Sequence, residues 1–224
     1  DGELDSEPDT VIVTVVDTTP PVLVVPGAQV VEQADWAGTG VELIASATDI
    51  CDVDVVITSD APEVYPLGET LVTFTATDDS GNTATATTTV TVEDTTPPEI
   101  SVELDKTSLW PPNHKYHDVY AVVTVTDACD ADAISGLIVS VTSNEPIEAK
   151  PVGDGNTIPD WEIVSPYHLK LRAERDGVAT GRIYTITYSV TDASGNEATA
   201  EVTVTVDHDQ GDGVEARVKT KGKK

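Results

Sequence analysis

The sequence predicts an all-β protein, two tandem β-sandwiches preceded by a lone N-terminal strand. Three observations carry that expectation. Small or apolar residues alternate with Thr at a period of two through Leu71–Thr77, Ala84–Val92 and Val119–Thr126. Turn signals (Pro26-Gly27, Leu67-Gly68, Ser80-Gly81-Asn82) separate such runs at the spacing of a sandwich. One set of motifs also occurs twice along 224 residues, enough chain for two domains of about a hundred residues each.

The elements follow in order. Residues 1–16 form an N-terminal segment whose apolar run Thr10–Val16 reads as a strand. Asp17-Thr-Thr-Pro-Pro21 then opens a first domain, 17–94, and recurs as Asp94-Thr-Thr-Pro-Pro98 at the head of a second, 95–209. Thr48-Asp49-Ile50-Cys51-Asp52 recurs as Thr126-Asp127-Ala128-Cys129-Asp130. Thr77-Asp78-Asp79-Ser80-Gly81-Asn82 recurs as Thr191-Asp192-Ala193-Ser194-Gly195-Asn196, later than the other offsets, so the second domain holds an insert of some thirty residues. Along 84–92, Ala84, Ala86, Thr88, Val90 and Val92 share one face and the Thr residues between them share the other. β-Branched Thr favours strand over helix there. Residues 210–224 close the chain as a basic tail.

Charge is the strongest compositional signal. Acids number 40 and bases 12, a net −28. That argues against nucleic acid and anionic lipid as partners, since both require a positive face. Residues 1–105 carry no Lys or Arg, and five of the twelve bases fall in the last eight residues. The tail reads either as a solvated charge run or as a cation that docks on the acidic half of another copy. No apolar run is long enough to span a membrane. The absence of Met predicts a processed piece of a secreted precursor, hence an extracellular or cell-surface setting.

The run Ala76–Thr85, a Val-Thr-Val strand and Asp94-Thr-Thr-Pro-Pro98 together resemble hyalin-repeat and related bacterial immunoglobulin-like domains. Leu109–Lys115 and Gly153–Trp161 resemble a module of bacterial surface proteins. The resemblance implies sandwich domains used as spacers, stalks and adhesive repeats, some of them appended to secreted enzymes.

In such a sandwich the entering linker, the loop between second and third strands and the last hairpin loop lie at one pole. The first pole gathers Asp17, then Asp49, Asp52 and Asp54, then Asp78, Asp79 and Asn82. The second gathers Asp94, then Asp127, Asp130 and Asp132, then Asp192 and Asn196. Carboxylates without a nearby base repel one another, and Ca²⁺, which takes six to eight oxygens, relieves this. The plainer alternative is that Asp and Asn serve as turn formers. In the insert, Asp154, Asn156 and Asp160 offer a weaker metal candidate, lacking the Gly and Glu that an EF-hand loop requires.

Nothing in the sequence predicts an enzyme. The His residues (114, 117, 168, 208) form no metal pair, and no nucleophile elbow or phosphate loop is present. Trp110 and Trp161 offer either interface filling or platforms for a surface glycan. Arg172, Arg175 and Arg182 are expected to pair with neighbours such as Glu174 and Asp176. Cys51 and Cys129, one per domain at matching loops, lie too far apart for a disulfide between tandem sandwiches. They are free buried thiols or cross-links between molecules. Val11, Ile12, Val13, Val15 and Val16, with the two cysteines, are the candidate subunit contacts. The orphan strand belongs to a longer array, or it adds to the sheet edge of another copy and builds a filament. The function expected is a calcium-stabilised structural repeat of a surface filament, stalk or adhesin, with neighbouring repeats or further copies as partners. The alternative is a carbohydrate- or ligand-binding accessory module of a secreted enzyme.

Overall fold

The computed structural model describes residues 9–130, 136–146, 159–176 and 181–207. Two compact units result: 1–33 with 38–93, and 94–224 with 34–37. All regular elements among the described residues are strands, and no described helix is long and apolar enough to cross a membrane.

The first unit has six strands: β1 (Val22–Val24), β2 (Gln29–Glu32), β3 (Ser46–Thr48), β4 (Val56–Ser59), β5 (Gly68–Thr77) and β6 (Thr83–Glu93). They form a two-stranded sheet, β1-β3, and a four-stranded sheet, β2-β6-β5-β4. Only β2 runs parallel to its neighbour β6. Along β6 the alternation has the expected sense, with Thr88, Val90 and Val92 buried and Thr89 and Thr91 half-buried on the outer face. Tyr65, Val72, Phe74, Val90 and Val92 make the core, against which Leu23, Val31, Val41, Leu43, Ala45 and Ile57 pack.

The second unit has β7 (Glu99–Leu104), β8 (Tyr116–Thr126), β9 (Ile138–Ser143), β10 (Trp161–Ser165), β11 (His168–Arg172), β12 (Gly181–Thr191) and β13 (Glu197–Asp207). Its sheets are β10-β11-β8-β7 and β13-β12-β9. The insert contributes the antiparallel hairpin β10–β11, which widens the first of these sheets. Sixteen buried apolar residues form its core, with Tyr184, Ile186, Tyr188 and Val190 of β12 fully enclosed. Between β7 and β8, Leu109 (1% exposed) pins an irregular stretch through its N–H to the carbonyl of Thr205 at 2.8 Å.

Thr10–Val16, the expected orphan strand, pairs with no other segment among the described residues; a ladder needs the N–H and C=O groups of a neighbouring strand.

Candidate metal centres at the acidic poles

Each unit builds its pole from the same three pieces of chain. In the first unit a turn links β5 to β6: Asp78 N–H donates to the Asn82 carbonyl at 3.1 Å, and Gly81 N–H donates to the Asp78 carbonyl at 3.1 Å. Gly81 sits at φ 87°, a left-handed conformation that suits Gly. Both Asp78 oxygens are engaged by Asn82, from its N–H at 2.7 Å and its side-chain amide at 2.8 Å. Burial pushes the Asp78 carboxyl up, but the hydrogen bonds from Asn82, Ser80 and Gly81 outweigh it and hold the group below its ordinary range. The same Asn82 amide reaches the Asp17 carbonyl at 3.3 Å and ties the entering segment to the turn.

The loop after β3 folds on its own carboxylates. Asp49 Oδ1 accepts the N–H groups of Cys51 (2.8 Å) and Asp52 (3.2 Å), an arrangement that Asp adopts readily in turns. Asp52 accepts from Asp54 N–H at 2.9 Å and from Asp79 N–H at 2.9 Å, so it bridges the two loops. What remains aimed at one point are oxygens of Asp17 and Asp49 and the Cys51 sulfur, all within 4.8 Å of one another.

The second unit repeats this arrangement. Asp192 is held by Asn196 N–H at 2.8 Å and its amide at 2.9 Å, and that amide reaches the Asp94 carbonyl at 3.1 Å. Asp127 Oδ1 accepts from Cys129 and Asp130 N–H, both at 2.7 Å, and Asp130 accepts from Ala193 N–H at 3.1 Å. Ligand atoms of Asp94, Asp127 and Cys129 again lie within 4.8 Å of one another. Asp127 Oδ2 is buried without a hydrogen-bond partner.

The structure therefore sorts the predicted ligands. Asp17, Asp49, Asp94 and Asp127 converge. Asp78, Asn82, Asp192 and Asn196 are occupied as latches, and Asp52 and Asp130 as bridges. Asp54 and Asp79 contribute backbone N–H groups, and Asp132 lies outside the described residues. The third converging atom in each unit is a thiol that sequence reasoning had assigned to packing or cross-linking. The repeated Thr-Asp-x-Cys-Asp pattern was the signal for it. Cys51 is exposed rather than buried, and its thiol is pushed up chiefly by the Asp17 carboxylate, then by burial and Asp49. Both cysteines are free thiols.

Asp160 is 1% exposed, and its Oδ2 accepts from Arg182 Nη1 and neutralises a buried cation, while its Oδ1 has no hydrogen-bond partner; Asp154 and Asn156 lie outside the described residues. Arg182, itself fully buried, also meets Glu145 Oε2 at 3.3 Å and Glu174 Oε1 at 3.9 Å. Arg172 donates to the carbonyls of His114 (2.9 Å) and Pro159 (3.1 Å) and covers the Tyr116 ring at 4.1 Å. Trp161 turns toward the core, edge-on to Tyr184 at 6.2 Å, while Trp110 stays 42% exposed. His114 and His168 each face an acid, Glu174 at 3.4 Å and Asp118 at 2.8 Å.

Residues 16–92 match the family model of the HYR domain. The chain is 43% identical over 101 residues to hyalin of Lytechinus variegatus and 38% over 100 residues to hyalin of Strongylocentrotus purpuratus. The matches cover 42% of this chain but 19% and 8% of those proteins, so it spans under a fifth of their length. Among solved structures, the fibronectin(III)-like modules of Clostridium thermocellum CbhA align over 83% of this chain and 94% of theirs, at 13% identity and a TM-score of 0.30. The protocadherin gamma B4 extracellular domain aligns over 87% and 33%, at 15% identity and 0.36.

Proposed function

We propose that this chain, whose residues 16–92 are a hyalin-repeat-like domain, is an extracellular, adhesion-type structural module of a surface filament, stalk or adhesin, stiffened by Ca²⁺ at its acidic poles. It acts mechanically and not as an enzyme. One observation carries the reading: the same Asp–Asp–Cys convergence, with ligand atoms within 4.8 Å, is built independently in both units. A divalent ion held by Asp17 and Asp49, or by Asp94 and Asp127, would join the entering segment to the loop after β3 in the first unit, or after β8 in the second, and remove carboxylate repulsion. Backbone carbonyls and water would complete an oxygen shell of the kind Ca²⁺ takes. The sulfur is the soft member of the set and would suit Zn²⁺ better. An ion that binds only the folded state stabilises it by mass action, about 2.7 kcal/mol at a hundredfold excess over its Kd.

The test is thermal unfolding in Ca²⁺ and in chelator at matched ionic strength, for the parent chain and for Asp49→Asn and Asp127→Asn. A rise in melting temperature that each variant removes from its own unit supports the proposal. Equal melting in both buffers overturns it. A rise with Zn²⁺ alone, lost in Cys51→Ser, would replace calcium with a thiolate metal.

A further inference from the structure

In each unit one sheet turns to solvent a face built from hydroxyl and aliphatic side chains. In the first unit this is the outer face of β2-β6-β5-β4. Its register sets Leu71 beside Thr89, Thr73 beside Thr87 and Thr75 beside Thr85, three cross-strand rows without a charge. Val30 beside Thr91 and Val56 beside Thr77 carry the apolar area onto both edge strands. Leu71, Val30 and Val56 are 60–65% exposed. The acids of this face, Glu32, Glu69 and Glu93, stand together at one end, and residues 1–105 contain no Lys or Arg.

The second unit carries the same face. The turn motifs align Thr77–Asn82 with Thr191–Asn196, so β5 and β6 correspond to β12 and β13. There Thr185 lies between Thr203 and Thr142, Ser189 lies between Thr199 and Ile138, and Ile183 lies beside Thr205. Ile138 is 65% exposed and Ile183 40%. The outward acids, Glu197, Glu201 and Asp207, all belong to the edge strand β13, so the outward side chains of β12 and β9 are uncharged.

Thr suits such a face to contact. Its methyl adds apolar area, and its hydroxyl offers one donor and two lone pairs, so opposed Thr residues can satisfy one another when water leaves. Sheets pack face to face about 10 Å apart with interdigitated side chains. A second copy of a chain at net −28 meets repulsion over the acidic poles and loops, and none over these rows. At strand spacings of about 4.8 and 3.3 Å each face covers about 450 Å², so one pair of faces buries about 900 Å², short of the 1,000 Å² or so of a specific contact. Two face pairs between the same two copies bury about 1,800 Å², a standard interface, and the second pairing is intramolecular once the first has formed.

We propose that two copies of this chain associate by packing these faces against each other, one face from each unit, and that neither unit holds the dimer alone. The same surfaces serve on both copies, so the contact closes. It goes beyond the structural-module reading and is independent of the cation sites.

Sedimentation velocity of the full chain tests this, in chelator so that its outcome is separate from that of the calcium test. Screening shortens from about 8 Å at 0.15 M to about 3 Å at 1 M salt, so the midpoint concentration for dimer formation is expected to fall between these conditions. Thr87→Glu charges the central rows of the first face and Thr142→Glu those of the second, both at exposed positions. Each is expected to raise the midpoint at least about tenfold while melting like the parent chain. A chain that stays monomeric to about 1 mM in high salt overturns the proposal. Association that salt weakens also overturns it, in favour of attraction between the basic tail and the acidic half of another copy; this readout needs no variant. Either variant dimerising like the parent overturns the two-face contact.

Discussion

Arg182 carries a full charge with no side-chain exposure, balanced by Asp160 and Glu145 and flanked by Glu174. Arg182→Met keeps the volume and removes the charge, leaving two buried carboxylates uncompensated. Breaking a buried pair in this way costs about 3–5 kcal/mol. Denaturant unfolding is expected to show that loss in the second unit's transition alone, and a loss below about 1 kcal/mol would refute the network's structural role. Sequence reading supplied Arg182 with neighbours in the chain. Its principal partners, Glu145 and Asp160, lie 37 and 22 positions away, a separation no local pattern exposes. Tyr188 differs in kind: its hydroxyl is buried without a partner, and burial pushes it up to about 12 from an ordinary value of 10. A raised pKa means that the folded state keeps the proton longer. The stability it contributes is complete below pH 10 and is lost as pH rises toward 12. Tyr188→Phe is expected to be neutral or stabilising by about 1 kcal/mol at neutral pH and to weaken that alkaline loss. Destabilisation by more than that would mean the hydroxyl has an unrecognised partner.

Among elements, the turn from β5 to β6 and the approach of Gly38 to Tyr65 separate two reasons for glycine. Gly81 has φ 87° and open space around it, so Gly81→Ala meets only backbone strain, about 1 kcal/mol. Gly38 has φ 123°, and an added Cβ would stand 2.1 Å from the Tyr65 carbonyl oxygen. Gly38→Ala must also displace a fully buried core residue, so its loss is expected to exceed that of Gly81→Ala clearly in chemical unfolding. Equal losses would show that the Thr39–Tyr65 bridge is dispensable. The long strands β5, β6 and β8 were legible because ten or eleven residues repeat the alternation several times. β1 to β4 were not, since three or four residues hold too few periods to stand out. At the poles the carboxylates were legible from the repeat, but their division into latches, bridges and converging ligands depends on which N–H each oxygen meets. Thr10–Val16 shows the converse limit: propensity names a strand former, and only a neighbour makes a strand.

Over the whole molecule, charge is distributed so that the two units answer differently to salt. Residues 1–105 hold 22 acids and no Lys or Arg, so the first unit has no internal base to offset its repulsion. The second unit compensates within itself through Arg182 and Asp160, Lys106 and Asp105 (2.8 Å), and Lys170 and Glu162 (3.2 Å). Monovalent salt screens exposed charges over about 10 Å at 0.1 M. In the first unit it relieves repulsion alone; in the second it also weakens attractive pairs. The first unit's melting temperature is therefore expected to climb with sodium chloride more steeply than the second's. Arg182→Met identifies which calorimetric transition belongs to the second unit, so the two slopes can be assigned without cutting the chain. Equal slopes would mean that repulsion is relieved locally, at the loops, rather than across the unit. The same titration sets the baseline for the poles: a cation held by Asp17 and Asp49 acts at concentrations too low to screen, so its effect must appear before the sodium curve begins to rise.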